Sequence, residues 1–224
     1  MDTKKIKLPQ EIAYILGIVT MTLGVALMQK ADFGLSMVVA PAYMLSEFFG
    51  ISFGTAEYCL QFVLVTVMCL LLRRFRISYY LSFATAVVYG LVLDGFICLL
   101  RSGTPAESMP IRVLFMFAGM VVTAFGVALF FRTYLPACAY DMFVKETSQA
   151  FGIKTGKFKI CYDFSSLAVS LILTFVFFGK LIGMGVGTLV CACLNGLIIN
   201  GFSALLERFV AFPVLLPSVE KYLK

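Results

Sequence analysis

Residues 24–27 read GVAL, and residues 126–129 read GVAL again. Sliding the chain by the 102 residues between them also puts Gly17 on Gly119, Ser46 on Ser148 and Phe49-Gly50-Ile51 on Phe151-Gly152-Ile153. Gly54 falls on Gly156, Cys59 on Cys161 and Phe62 on Phe164, giving 13 identities over the 46 ungapped positions from 17 to 62. Apolar composition produces chance matches, but it does not align glycines and two short polar segments at once. After a four-residue insertion, Gly90-Leu91 meets Gly196-Leu197, Gly95-Phe96 meets Gly201-Phe202, and Asp94 falls opposite Asn200. A fold built twice is the reading.

What is repeated is a membrane-embedded unit. The 224 residues are 61% apolar and 13% charged, with a mean hydropathy of +0.99. Charged residues make up about a quarter of an ordinary globular chain, so this chain has too few polar residues to coat a water-exposed surface. A helix crossing roughly 30 Å of hydrocarbon needs about 20 mostly apolar residues. Six segments meet that need, at approximately 12–30, 55–72, 77–100, 111–132, 159–179 and 183–207. The first follows Lys4-Lys5-Ile6-Lys7, lacks a clear small-x-small cleavage site, and is long enough to be an uncleaved span rather than a signal peptide.

Two further segments are too short or too polar to cross alone. They are 34–50, broken by Pro41 and carrying Glu47, and 136–152, carrying Asp141, Lys145 and Glu146. Each half therefore reads helix, short segment, helix, helix. The expected fold is an all-α membrane protein of six transmembrane helices. Repeat 1 covers 1–104 and repeat 2 covers 105–224, within one membrane domain. Each repeat places a short re-entrant or interfacial helix after its first span.

Three spans is an odd number, so the second half must begin on the opposite side and be inverted with respect to the first. Charge supports this independently. With the amino terminus in the cytoplasm, 14 of the 18 Lys and Arg fall inside. The outside holds only Lys30, Arg101, Arg112 and Lys180, as the positive-inside rule requires. Both termini are then cytoplasmic.

Short or Gly/Pro-interrupted segments at matching places in two halves are where inverted-repeat transporters often build their sites. Non-helical backbone at membrane depth needs protein or a water-filled cavity to satisfy it. Intramembrane ionisable groups are costly and mark function by default. The expected pathway residues are Asp32, Ser36, Pro41, Tyr43, Glu57, Gln61 and Asp94 in the first half. In the second they are Asp141, Lys145, Lys159, Asp163 and Asn200. Asp32, Glu57, Gln61 and Asp94 fall at outer depths and read as one acidic vestibule, which favours a cation or amine. Plainer readings stand beside these. Asp94 fits a helix-end carboxylate paired with Arg101, Glu57 a first-turn acid favoured by the helix dipole, and Asp163 an early-turn acid of the same kind or a partner for Lys159 at i, i+4.

Other features exclude more than they assign. The chain has no His, and its seven cysteines form no CxxC pair. The cysteines read as buried free thiols, and neither a metal centre nor another cofactor is expected. Trp is absent, so an interfacial aromatic belt falls to Tyr14, Tyr79 and Tyr80. No basic stripe with interleaved aromatics suggests nucleic acid. Gly90, Gly95, Gly183, Gly185, Gly187, Gly196 and Gly201 read as packing positions between helices.

The stretch GVALMQKADFGLSMVVAPAYMLSEFFGISFGTAEYCLQ (24–61) resembles the signature region of the YczE/YyaS/YitT group of bacterial membrane proteins. Its ADxGxSM…APAYxLSE…FGTAEYxxQ pattern is most similar to a DUF6198-type branch. The resemblance implies the bacterial cytoplasmic membrane and directs attention to Asp32, Gly34, Ser36, Pro41, Tyr43, Glu57, Tyr58 and Gln61. Transport is suspected for the group, with no substrate or site to carry over.

The expected function is therefore a small-solute transporter or channel with its pathway between the halves, coupled to a cation or proton. The alternative is an accessory or substrate-binding subunit acting with a partner protein. An intramembrane enzyme is disfavoured, since no nucleophile–base pair or metal-ligand cluster is present. The expected partners are the lipid bilayer and a small solute or ion, with homo-oligomerisation left open.

Overall fold

The computed structural model describes residues 5–101, 108–136, 138–179 and 182–217. The expected boundary between halves at 104/105, and the charges Lys4, Lys180, Lys221 and Lys224, lie outside the described residues.

Eight helices are described, in the order long, short, long, long, repeated once. The first set is α1 (Gln10–Ala31), α2 (Ala40–Phe49), α3 (Phe53–Leu72) and α4 (Ile77–Arg101). The second is α5 (Met109–Phe130), α6 (Ala139–Ala150), α7 (Thr155–Phe178) and α8 (Val186–Phe209). All six long helices are long and apolar enough to cross a bilayer. Each begins or ends within a few residues of the span expected from hydropathy. α7 is the exception worth a reason: it starts one turn early, because Thr155–Phe158 continue the helix although Lys157 makes that turn polar.

The two short helices stop in the same way. Gly50 and Gly152 take the left-handed conformation at φ +64° and +65°, which costs glycine no Cβ clash. Ile51 N then donates to Ser46 O (3.2 Å) and Ile153 N to Ser148 O (2.9 Å), the closing bond of a Schellman motif. The serine hydroxyls repeat as well, Ser46 Oγ donating to Tyr43 O and Ser148 Oγ to Lys145 O. The paired FGI triplets thus encode one local structure twice.

The core is the crossing of α1 and α5. Gly17 lies against Gly126 O and Phe130, and Gly24 lies against Gly119 O and Thr123. As numbers rise along α1 they fall along α5, so the two helices run antiparallel. A Cβ on Gly24 would sit 2.6 Å from Gly119 O, so no larger residue allows this approach. Around the crossing, α4 packs on α1 and α8 on α5. The short helices do not lie apart from the bundle. α2 packs between α3 and α7, and α6 packs against α3, α7 and α4.

The chain ends meet. Ile6–Lys7 and Val210–Ala211 form a two-residue parallel ladder. Glu11 accepts from Tyr134 Oη and from the backbone N–H groups of Leu215 and Leu216. The start of α1 and the end of α8 therefore lie at one end of the bundle.

Several expectations change. Cys69, Cys138 and Cys191 are buried thiols, but Cys59, Cys98, Cys161 and Cys193 are exposed. Tyr79 is buried and donates to Glu146 Oε2, and Tyr14 stacks on Phe130 and hydrogen-bonds Thr85. Only Tyr80 of the expected belt points outward. Gly90 does pack, whereas Gly95, Gly196 and Gly201 have open space where a Cβ would stand.

Candidate functional site

α3 carries Glu57 and Gln61 one turn apart on its inward face, so both must be satisfied from a neighbouring helix. They are 1% and 0% exposed. Gln61 Oε1 accepts the backbone N–H of Ala139, the first residue of α6, at 3.1 Å, and Gln61 Nε2 donates to Glu57 Oε1 at 3.4 Å. Glu57 Oε2 has no hydrogen-bond partner among the described residues, and neither has the hydroxyl of buried Tyr140. The two groups face each other. Tyr89 of α4 and Tyr162 of α7 lie close enough to feel the Glu57 charge. Four helices from both halves thus meet at one carboxylate.

Beside this junction α6 and α7 build a charged group. Lys159 Nζ stands 2.9 Å from Asp163 Oδ1 and 3.9 Å from Asp141 Oδ1. The i, i+4 pairing expected for Asp163 is present. Asp141 lies in the first turn of α6, outside the six long helices. Burial pushes its carboxyl up, Lys159 pulls it down and Asp163 pushes it up again. Glu57, Asp141 and Asp163 against Lys159 leave the region two charges negative when all four are ionised. That sign suits a proton or a small cation.

The remaining expected residues are distributed elsewhere. Asp94 accepts from Ser52 Oγ (2.5 Å) and Gly54 N (2.7 Å), holding the first turn of α3, and has no bond to Arg101 among those described. It lines a cavity of about 330 Å³ with Gln29, Tyr43, Ser46, Glu47 and Ser52. Burial, reinforced by the adjacent Glu47, pushes the Tyr43 phenol up to about 12. Pro41 sits in the first turn of α2, where its missing N–H costs nothing. Ser36 closes the turn before it, its carbonyl accepting from Ala40 N.

Asp32 ends α1 and pairs with Arg112 at 3.0 Å on the surface, Arg112 also holding the carbonyls of Ala31 and Asp32. Lys145 and Asn200 are exposed. Asp32 and Asp94 are thus bound into helix ends, while Glu57 and Gln61 turn toward α6. Glu57 also lies beyond the first turn of α3, so the dipole reading does not describe it.

Sequence reasoning passed over Tyr89, Tyr140 and Tyr162. The available signal was Tyr140 beside Asp141 at the start of the short second-half segment. Among the described residues, no group of three or more Cys, Asp or Glu side chains is arranged to hold a metal ion.

Six long apolar helices around a buried polar junction define a multi-pass helical membrane protein. The chain belongs to the family of unknown function DUF6198, whose pattern spans residues 8–204 and so takes in both halves. It is similar to the uncharacterized protein YyaS of Bacillus subtilis (strain 168), at 24% identity over 198 residues, 87% of this chain and 92% of that one. The resemblance read from residues 24–61 is borne out. No solved structure matches the chain.

Proposed function

We propose that this protein is a transporter of a small solute in the bacterial cytoplasmic membrane. Its two halves, 1–104 and 105–224, act as inverted repeats, and both termini are cytoplasmic. The solute path runs where α3 of one half meets α6 of the other, and Glu57 carries the coupling proton or cation.

One observation carries this reading: the buried Glu57 carboxylate, facing the buried hydroxyl of Tyr140 across the contact between halves. A buried ionisable group at membrane depth is costly, and a fold that keeps one at its centre has a use for it. The α6 N-terminus beside Gln61 supplies fixed positive dipole to the junction. The antiparallel α1–α5 crossing, the twofold order of elements and the meeting of the chain ends support the inverted arrangement.

The test is solute-evoked current or uptake in proteoliposomes of the purified protein, using small amines, amino acids and alkali cations. Transport of any member above protein-free vesicles supports the reading. Silence across the panel, with stable co-purification of an ATPase or a second membrane subunit, points instead to an accessory subunit.

A further inference from the structure

The repeat pairs α1 with α5, α2 with α6, α3 with α7 and α4 with α8. Nearly every packing contact obeys that exchange. α1 on α4 matches α5 on α8, α2 on α3 matches α6 on α7, and α2 on α7 matches α6 on α3. The main exception is that α3 packs closely on α4, while α7 and α8 at most graze each other.

The exception is visible at single residues. A Cβ on Gly54 would fall 1.9 Å from Gly90 O, and one on Gly90 would fall 2.5 Å from Gly54 O. Those helices touch backbone to backbone. Asp94 then seals the contact through Ser52 and Gly54, and Phe62 meets Phe83 at 5.2 Å between ring centroids. Their counterparts are Gly156, Gly196, Asn200, Phe164 and Leu189. Both glycines have nothing within 4 Å of a built Cβ, Asn200 is exposed, and Phe164 and Leu189 are 62% and 60% exposed.

Glycine inside a helix costs about 0.5–1 kcal/mol relative to alanine, and in membrane helices it is favoured where backbones meet. Gly196, in the middle of α8, carries that cost in this conformation, and neither it nor Gly156 makes a contact in return. The chain holds two copies of one closing contact and uses one of them.

We infer that the protein has a second conformation in which α7 and α8 close on Gly156 and Gly196 while α3 and α4 part at Gly54 and Gly90. The two halves exchange roles about the α1–α5 crossing, whose own glycine pairs map onto each other and serve either state. Parting α3 from α4 breaks the Asp94 bonds beside the 330 Å³ cavity and opens Glu57, one turn along α3, toward it. Closing α7 on α8 shuts the other side. Packed helices have discrete arrangements rather than a continuum, so the exchange is a two-state step. Its role in alternating access rests on the transport reading, but the exchange itself does not.

The experiment is disulfide cross-linking of the full chain in membranes, in a background with all seven cysteines replaced. One pair is Phe62→Cys with Phe83→Cys, and the other is Phe164→Cys with Leu189→Cys. The first is expected to cross-link readily and the second in a smaller fraction. Gly196→Leu fits the open space of the present state and blocks the other, so it is expected to abolish the second cross-link and strengthen the first. Gly54→Leu is expected to do the reverse, raising the second by about threefold or more.

Two results overturn the inference. One is a second pair that never exceeds its single-cysteine controls, or does not respond to Gly196→Leu. The other is a disulfide between copies from Phe164→Cys alone, which makes the gap an interface between subunits. No solute enters the measurement, so failure of transport leaves it intact and its failure leaves transport untouched.

Discussion

The side-chain carbonyl of Gln61, in the first half, accepts the backbone N–H of Ala139, the first residue of α6 in the second half, at 3.1 Å. Both ends of this bond are buried, and it fixes the short helix against the span that carries Glu57. Gln61→Leu leaves the Ala139 N–H without a partner and is expected to cost about 1–3 kcal/mol. Gln61→Glu keeps an acceptor there but places a second carboxyl beside Glu57. Thermal unfolding in detergent at pH 5 and pH 8 checks this: Gln61→Leu lowers Tm equally at both, and Gln61→Glu lowers it mainly at pH 8.

The α1–α5 crossing is expected to tolerate no side chain at Gly24, where a Cβ would lie 2.2 Å from Thr123 Oγ1 and 2.6 Å from Gly119 O. Gly24→Leu should destabilise by about 1–3 kcal/mol or more by overpacking. Gly95→Leu enters open space and should stay within about 0.5 kcal/mol of the parent. Equal Tm losses for the two would show that the close approach at Gly24 is not a packing constraint.

Arg112 and Asp32 form an ion pair whose two members are expected to behave differently. The Asp32 side chain is 74% exposed, and a surface pair of this kind contributes below about 1 kcal/mol. Arg112 also donates to the carbonyls of Ala31 and Asp32, which the helix end leaves unpaired. Asp32→Asn should therefore be near neutral and Arg112→Ala clearly destabilising, by about 1–3 kcal/mol. Comparable Tm values for the two variants would contradict that assignment.

Lys159 stands between Asp141 and Asp163. Lys159→Met leaves the two carboxyls facing each other, and adding Asp163→Asn is expected to recover part of the loss. A double-mutant cycle should give a coupling of about 0.5–3 kcal/mol. The Asp141 carboxyl is raised on folding, by burial first, with Lys159 opposing and Asp163 adding. The folded chain therefore holds that proton more tightly than the unfolded chain. This stability is complete below the unfolded value of about 3.9 and is lost as pH rises through the folded one. Asp141→Asn should shrink the fall in Tm between pH 4 and pH 7, and parallel falls for parent and variant would remove Asp141 as the cause.

The spans were legible because hydropathy over 20 residues is a local property, and the FGI triplets gave the ends of α2 and α6 for the same reason. The partners of the polar residues were not. Gln61 finds Ala139 across 78 positions, and Asp94 finds Ser52 across 42. Spacing along one helix says nothing about such bonds. Counting residues from a helix end puts Glu57, Asp32 and Asp94 at similar heights in the membrane but does not give the direction each side chain faces. The sequence of α6 leaves re-entrant and interfacial placement both open, and it does not show that Tyr140, Met142 and Val144 are buried because α3 and α7 cover that face.

The proposed transport depends on the Glu57 carboxylate at the contact between halves. Solute-evoked currents from proteoliposomes of the parent and of Glu57→Gln measure that dependence, across the panel of amines, amino acids and alkali cations. Glu57→Gln removes the charge, keeps the shape and should preserve Tm, since it discards a buried ionisable group. The expected result is a current in the parent for at least one solute and a loss of about tenfold or more in the variant. A folded Glu57→Gln protein that carries the parent's current, or a parent silent to every solute, would rule out Glu57-coupled transport.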